Sequence, residues 1–425
     1  MQHSGVKWLG EVPDHWEIVP LKRAFTRVRR AAKDDAGIVT AFRDGQVTLR
    51  SNRRSDGYTE ADDHSGYQGI IPGDLAIHSM DAFAGAVGVS DSQGMSSPVL
   101  SVCAAQGGND PRYMAYQLRL MSARGWIEAL SRSVRERTSE FRWAEAGNQK
   151  IALPPVAEQT AIAAFLDNEL ARIDSLIDKQ HDLIARLKER KNALLKMRIL
   201  GLGRSSSTSR MTEHEWLAGI PADWKITKIG REFSLTLGKT LNAATNQGQV
   251  IVPYLRAGNV QDSGIDLQEV KTIGVTEKEM TDLALLRGDV VVVEGGAGFG
   301  RSDVLIDTLD GWVFQNHVIR ARSRGTVTPE YLDFYIKYLR SIGHFEKLSA
   351  YATIPSISSD ALGRIPIPKP PKEVATELVQ SLTNDLRTHD TLIAKSFELI
   401  AGLQARRSAL VSNAVTGKID VRGEN

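Results

Sequence analysis

The chain repeats itself on the scale of a whole domain, and that repeat limits what it can fold into more than any single motif does. Trp8, Leu9, Pro13, Trp16, Ile18 and Arg23 return at the same spacing as Trp216, Leu217, Pro221, Trp224, Ile226 and Arg231. Further along each half, Asp174-Ser175-Leu176-Ile177 and Leu183-Ile184-Ala185-Arg186-Leu187 recur as Asp390-Thr391-Leu392-Ile393 and Leu399-Ile400-Ala401-Gly402-Leu403. Solenoids repeat roughly every 20–50 residues, so a period of about half the chain means two copies of a larger unit. Two such copies present two similar surfaces about an approximate twofold axis. Duplex DNA, with its own near-twofold symmetry, is the prime candidate ligand for them.

A chain of 425 residues with 42% hydrophobic and 24% charged content has enough apolar material for a core in each half. No apolar run reaches the ~18 residues of a membrane span, and the opening Met1-Gln2-His3-Ser4 lacks a signal pattern, so a cytoplasmic protein is expected. The single cysteine, Cys103, excludes an intrachain disulfide framework and sits among apolar neighbours as a small buried hydrophobe. Net charge is only +2, with 53 Lys+Arg against 51 Asp+Glu, which is low for a protein that binds nucleic acid alone. The basic residues cluster, however: Arg43, Arg50, Arg53 and Arg54; Arg132, Arg135, Arg137 and Arg142; His317, Arg320, Arg322 and Arg324. Local clusters with little net charge fit a DNA-contacting protein whose partners supply part of the phosphate neutralisation. A solvated charged face is the other reading of each cluster.

Short apolar runs at Val47-Thr48-Leu49, Leu75-Ala76-Ile77 and Val87-Gly88-Val89 predict strands, and Tyr113 to Leu130 carries helical spacing interrupted by Gly125. Leu153-Pro154-Pro155 then opens a long helix, with prolines in a first turn and Glu158 near the positive N-terminal end. Leu166, Leu170, Ile173, Ile177, Gln180, Ile184, Leu187, Lys191 and Leu194 form a heptad seam, on a helix of about 60 Å. The second half answers position for position with Leu382, Leu386, His389, Ile393, Ser396, Ile400, Leu403, Arg407 and Leu410. Single seams of this length need a partner, and a twofold repeat packs them antiparallel, with a globular domain at each end. Packing of each helix on its own domain is the alternative. The expected fold class is α+β with mixed sheets: two globular α/β domains separated by two long antiparallel coiled-coil helices, related by an internal pseudo-twofold. The expected segments are 1–152, a globular domain; 153–200, a long helix; 201–214, a linker rich in Ser and Gly; 215–366, the second domain; and 367–425, the second helix and tail.

Catalytic patterns fail on inspection. Gly295 to Ser302 follows a strand-like run and has phosphate-loop spacing, but Arg301 replaces the lysine and a strand, not a helix, follows. A glycine-rich loop between strands, able to approach a DNA backbone, is the better reading. Gly238-Lys239-Thr240 lacks the first glycine of such a loop, since Phe233 stands there. The histidines show no metal-site spacing, and neither a G-x-S-x-G elbow nor an adenine-methyltransferase Pro-Pro motif is present. No catalytic residue, metal ligand or bound cofactor is expected.

Taken together, the opening Ser4-Gly5-Val6-Lys7-Trp8-Leu9-Gly10-Glu11-Val12-Pro13-Asp14-His15-Trp16, the Leu153-Pro154-Pro155-Val156-Ala157-Glu158-Gln159 helix start and Ala414 to Val421 carry a resemblance. The chain resembles the specificity subunits of type I restriction–modification systems, along essentially its whole length. One departure is the second helix start, Pro368-Lys369-Pro370-Pro371-Lys372-Glu373, which lacks the Glu-Gln pair. The resemblance implies a non-catalytic subunit with two target recognition domains, each reading one half of a bipartite, asymmetric sequence in double-stranded DNA. The helix pair would fix the spacer and dock two modification (methyltransferase) subunits carrying S-adenosylmethionine. Restriction subunits, using ATP and Mg, would add translocation and cleavage. A recognition subunit of a stand-alone or fused methyltransferase/restriction system of another type is the alternative.

Arg, Asn and Gln on loops are the usual readers of base edges. The candidates are Arg43, Arg50, Asn52, Arg53 and Arg54 in the first domain, and Arg256, Asn259, Arg301, Gln315 and Asn316 in the second. Trp8, Trp16, Trp216 and Trp224 are expected to pack at each domain's opening rather than stack on bases.

Overall fold

The computed structural model describes residues 1–33, 35–53, 66–130, 141–203, 209–241, 250–349 and 355–421. The chain falls into two compact units, Met1–Gln180 with Phe397–Asn425 and His181–Ser396, so each unit takes part of both long helices.

The first unit is framed by a four-stranded antiparallel sheet in the order Val87–Val89, Leu75–His78, Leu100–Ala105, Phe25–Arg27. The helix Pro111–Ala123 packs on it, buries Tyr113, Met114, Leu118 and Met121, and is capped by the Asp110 carboxylate accepting from the Arg112 amide. It stops short of Gly125, whose φ of 71° suits glycine, and a second short helix follows at Trp126–Leu130. Cys103 is fully buried in the same core, which pushes its thiol up to about 12.

The second unit repeats this frame: Ser302–Val304, Val290–Val293, Val318–Ser323 and Phe233–Leu237 in the corresponding order, with the helix Pro329–Ser341 capped by Thr328. In each unit the strand after the opening tryptophans pairs antiparallel with the strand before the long helix: Glu17–Pro20 with Lys150–Leu153, and Lys225–Lys228 with Pro366–Lys369. The copies diverge in the segments inserted between the frame strands. There the first unit holds the hairpin Val39–Ala41/Val47–Leu49 and a sheet of Gly94–Ser96, Gln68–Ile70 and Arg30–Ala31. The second holds Lys271–Val275, Val250–Leu255 and Val313–Phe314, a hairpin at Val260–Gln261/Gly264–Ile265, and the helix Glu277–Asp282.

One carboxylate recurs at the start of the same frame strand in both copies. Asp74 accepts from the Ile71 amide and from both terminal nitrogens of Arg30. Asp289 accepts from the Leu286 amide and from Nε and Nη2 of Arg322 at 2.7 Å each. Both carboxylates are buried, so these hydrogen bonds offset their lost hydration.

The two long helices run Val156–Ile199 and Lys372–Val415, without Gly or Pro in the first. In the first unit Ile162, Ala163 and Leu166 share a core with Leu410, Val411, Ala414 and Val415. In the second, Leu195 and Ile199 share one with Leu378, Leu382 and Leu386. In each case the beginning of one helix meets the end of the other, so the pairing is antiparallel. No seam position is exposed: Leu166, Leu170, Ile173, Ile184, Leu382, Leu386, Ser396 and Ile400 are buried and the rest half-buried. The weak seam positions explain themselves. Arg407 pairs with Asp174 at 3.3 Å in the first unit, and its repeat image Lys191 pairs with Asp390, the image of Asp174, at 2.6 Å in the second. The same contact thus occurs in both units with the helix roles exchanged, as antiparallel pairing within each unit requires. His389 is a packing residue whose Nδ1–H reaches the Asp385 carbonyl at 2.7 Å. The helices end at Gly201 and Gly417, where a Cβ would strike Trp224 and Pro221 in one unit and Trp16 and Pro13 in the other. No described helix is long and apolar enough to cross a membrane.

Candidate nucleic-acid interface

In the first unit the structure brings Arg43, Arg50, Asn52 and Arg53 together on one hairpin and the turn after it. Strands Val39–Ala41 and Val47–Leu49 are joined through Phe42 to Gln46, where the Phe42 amide donates to the Gln46 carbonyl and the Gly45 amide to that of Phe42. Gly45 has φ 92°, as the left-handed position of a three-residue hairpin loop requires. The loop rests on glycines: a Cβ on Gly88 would lie 1.9 Å from the Gly45 carbonyl oxygen. A Cβ on Gly85 would likewise lie 2.8 Å from the Arg43 carbonyl oxygen.

Around this hairpin Arg53 donates to Asp44 at 2.6 Å and lies 4.4 Å from the Phe42 ring centroid. Arg43, with a side chain 66% exposed, pairs with Asp81 at 2.8 Å. Arg50 Nε donates to Thr40 Oγ1 at 3.3 Å, and Asn52 Nδ2 to Thr48 Oγ1 at 2.9 Å. Arg54, and Arg132, Arg135 and Arg137 of the second basic cluster, lie outside the described residues, as do residues 204–208 of the Ser-rich linker.

In the second unit the candidates divide. Arg256 pairs with Glu269 at 2.6 Å beside the hairpin Val260–Ile265, and Arg301 reaches the same hairpin through Gln261 Oε1 at 3.2 Å and Asp262 at 3.5 Å. The Asp262 carboxyl sits below its ordinary range despite partial burial, because Arg340 and Arg301 both face it. Asn259 requires correction. It is buried, its Oδ1 accepting from the Arg256 amide and its Nδ2 donating to the Asp266 carbonyl at 2.7 Å, so it braces a turn and has no free edge for a base. Gln315 is likewise buried, at the end of strand Val313–Phe314, while Asn316 beside it is half-buried. Gly295 to Ser302 joins two strands through a single 3₁₀ turn, Gly296–Gly298, and has no helix to receive a phosphate.

The third basic cluster is mostly internal. Arg320 is buried against the Phe314 ring and donates to the Asp282 and Ala284 carbonyls, Arg322 holds Asp289, and Arg324 donates to the Gly230 carbonyl. Neither a solvated face nor a DNA face describes the first two. Sequence reasoning passed over Arg27 and Arg29, exposed cations in Arg27-Val28-Arg29-Arg30 with no ion pair among the described residues. Their signal was the run itself, masked by its strand-like setting.

Arg43, Arg53, Arg256 and Arg301 each already face a carboxylate. Such ion pairs near the surface contribute only about 0–1 kcal/mol, so exchange for a phosphate or a base edge is inexpensive. The opening tryptophans take no part: Trp8, Trp16 and Trp224 are buried, and Trp216 donates to the Tyr335 hydroxyl at 3.1 Å. Glu158 and Gln159 serve the frame. Glu158 accepts from Trp16 Nε1, and Gln159 accepts from the Asp110 amide while donating to Asn109 and the Pro154 carbonyl. The second helix start lacks that pair, and there Lys369 is tied to Glu232 at 2.8 Å instead.

No family model matches the chain. It is 24% identical over 346 residues, 77% of this chain and 72% of the relative, to the type I restriction enzyme EcoKI specificity subunit of Escherichia coli (strain K12). Among solved structures, it is similar to a chain from a study of complex assembly and conformational transition in a type I R-M system. That similarity has a TM-score of 0.71 at 16% identity and covers 96% of this chain and 100% of the other. It is also similar to the HsdS subunit from Thermoanaerobacter tengcongensis, with a TM-score of 0.54 at 15% identity, over 96% and 98% of the two chains.

Proposed function

From a likeness to type I specificity subunits in both sequence and fold, we infer that this chain is the DNA-recognition subunit of a type I restriction–modification complex. It reads double-stranded DNA and leaves the chemistry to its partners. One observation carries the reading: two units share a frame strand for strand, and they diverge in the inserted hairpins that hold exposed cations. A common frame with unlike inserts suits two readers of two different half-sites, so the target is bipartite and asymmetric. Arg43, Arg50, Asn52 and Arg53 serve one half-site, and Arg256 and Arg301 the other, through phosphate or base-edge contacts.

The helix pair acts as the spacer. Each helix of 44 residues is about 66 Å long, enough to hold half-sites a helical turn of DNA (about 34 Å) apart. It also offers docking places for two modification subunits. Each unit leaves large side chains of its paired helices open, Leu176 and Leu399 in the first and their images Leu392 and Leu183 in the second, each between 43% and 49% exposed. Two equivalent apolar places suit two copies of one partner. S-adenosylmethionine then belongs to those subunits, and ATP and Mg to restriction subunits that join them.

The test is co-expression with a type I modification subunit from the same source. The chain is expected to co-purify with that subunit and to transfer no methyl group by itself. Methyl transfer by the pure, isolated chain would refute the assignment.

A further inference from the structure

Beneath the hairpin of the first unit lies a cleft of about 350 Å³, whose lining includes Arg43, Phe83, Tyr116, Arg119, Leu170 and Arg407. Arg119 is the unusual member. It is the ninth residue of the helix Pro111–Ala123, half-buried, and its guanidinium lies against Gly45, where a Cβ would come within 2.5 Å of Cζ. It makes no hydrogen bond or ion pair with any described residue. The carboxylates nearby are taken: Asp44 by Arg53, Asp174 by Arg407 and Asp81 by Arg43. Burial, and then the charge of Arg407, lower the affinity of Arg119 for its own proton.

The second unit shows what this position looks like when it is closed. The ninth residue of its corresponding helix Pro329–Ser341 is Lys337, which faces Asp333 at 2.6 Å and Asp303 at 3.9 Å. The repeat images of those two carboxylates are Ala115, on the helix, and Gly88, in the middle of the strand Val87–Val89. The first copy therefore keeps the cation, lacks both internal counter-ions and has an open cleft in front of it. A half-buried guanidinium with no partner among the described residues is costly, and an anion from outside removes that cost.

We propose that this cleft binds a small organic anion, with its phosphate or carboxylate head on Arg119 and Arg407 and its apolar body against Phe83 and Leu170. The volume falls in the range of small-molecule sites, and a recess lined partly by apolar side chains suits a single-ring ligand better than a duplex backbone. The cleft shares Arg43 with the proposed DNA interface, but Arg119 and Arg407, which hold the anion, have no part in that reading.

The experiment is calorimetric titration of the full chain with phenyl phosphate, inorganic phosphate and phenol into the millimolar range. Phenyl phosphate is expected to bind saturably, inorganic phosphate more weakly and phenol not at all. Arg119→Gln should weaken phenyl phosphate about ten- to a hundredfold, the range for a charge-assisted contact. Ala115→Asp, which installs the carboxylate of the second unit, should do the same, and Lys337→Gln should leave binding unchanged. Absence of saturable binding by the unaltered chain overturns the proposal without any variant, as does equal affinity in a folded Arg119→Gln protein. Displacement of phenyl phosphate by duplex DNA would assign the cleft to a DNA phosphate. Loss of modification-subunit affinity in Arg119→Gln, with no phenyl phosphate binding by the parent, would assign it to a partner's carboxylate. Either result refutes the small-ligand site.

Discussion

Replacing Asp289 with alanine tests how the second unit is held together. Asp289 is 1% exposed and accepts three hydrogen bonds, two from Arg322 at 2.7 Å and one from the Leu286 amide at 2.8 Å. Removing one member of a buried ion pair costs about 3–5 kcal/mol, because the other is left uncompensated. The Arg322 side chain is 33% exposed, so water takes over part of its solvation, and the loss should fall near the lower end, about 3 kcal/mol. For a unit of roughly 200 residues that lowers the melting temperature by roughly 6–12 °C. Hydrogen exchange by mass spectrometry on the full chain locates the effect, since protection should fall within 181–396 and hold within 1–180. The double variant Asp289→Ala/Arg322→Met should be less destabilised than the sum of its single variants. A loss below about 1 kcal/mol, or additive single effects, would mean that this repeated carboxylate does not hold the frame.

Three further outcomes follow from the same geometry. Leu382, fully buried in the helix pair, should cost about 2–5 kcal/mol when changed to alanine, whereas exposed Thr383→Ala should stay within about 0.5 kcal/mol; urea unfolding distinguishes them. Arg301→Ala should weaken DNA binding and reduce the slope of log K against log salt by about one, while Asn259→Ala should lower stability and leave that slope unchanged. Glu232 resists burial, which alone would raise its carboxyl, and Lys369 with the Thr326 and Val327 amides holds it below 4.5. Its contribution is therefore present above pH 4.5 and lost as pH falls through the lower folded value, so Glu232→Gln should flatten the acid limb of the stability profile measured by thermal denaturation.

Where the sequence was regular, the fold was legible. The heptad seam and its weak positions anticipated an antiparallel pair, and the Arg407–Asp174 and Lys191–Asp390 contacts are that symmetry expressed in side chains. The frame strands at Leu75–His78 and Val87–Val89 were visible as short apolar runs bounded by turn residues. The candidate interface was harder, because residue type alone does not reveal what a polar side chain already holds. Asn259 looks like a base reader and Arg320 like part of a basic surface cluster, yet one closes a turn and the other satisfies two carbonyls. The partners that decide these roles, Asp266, Asp282 and Ala284, become neighbours only through the fold. That Arg119 pairs with no described residue is likewise invisible until Lys337 and its two carboxylates are compared with it.

The central claim is that two units with one frame read two different half-sites independently. Its most direct test replaces residues 1–152 with the corresponding domain of a known type I specificity subunit. Methylated adenines are then mapped across the genome of a host carrying either the parent or the chimera. The account predicts that one half of the methylated sequence changes while the other half and the spacer persist. A change in both halves, or in neither, would contradict it.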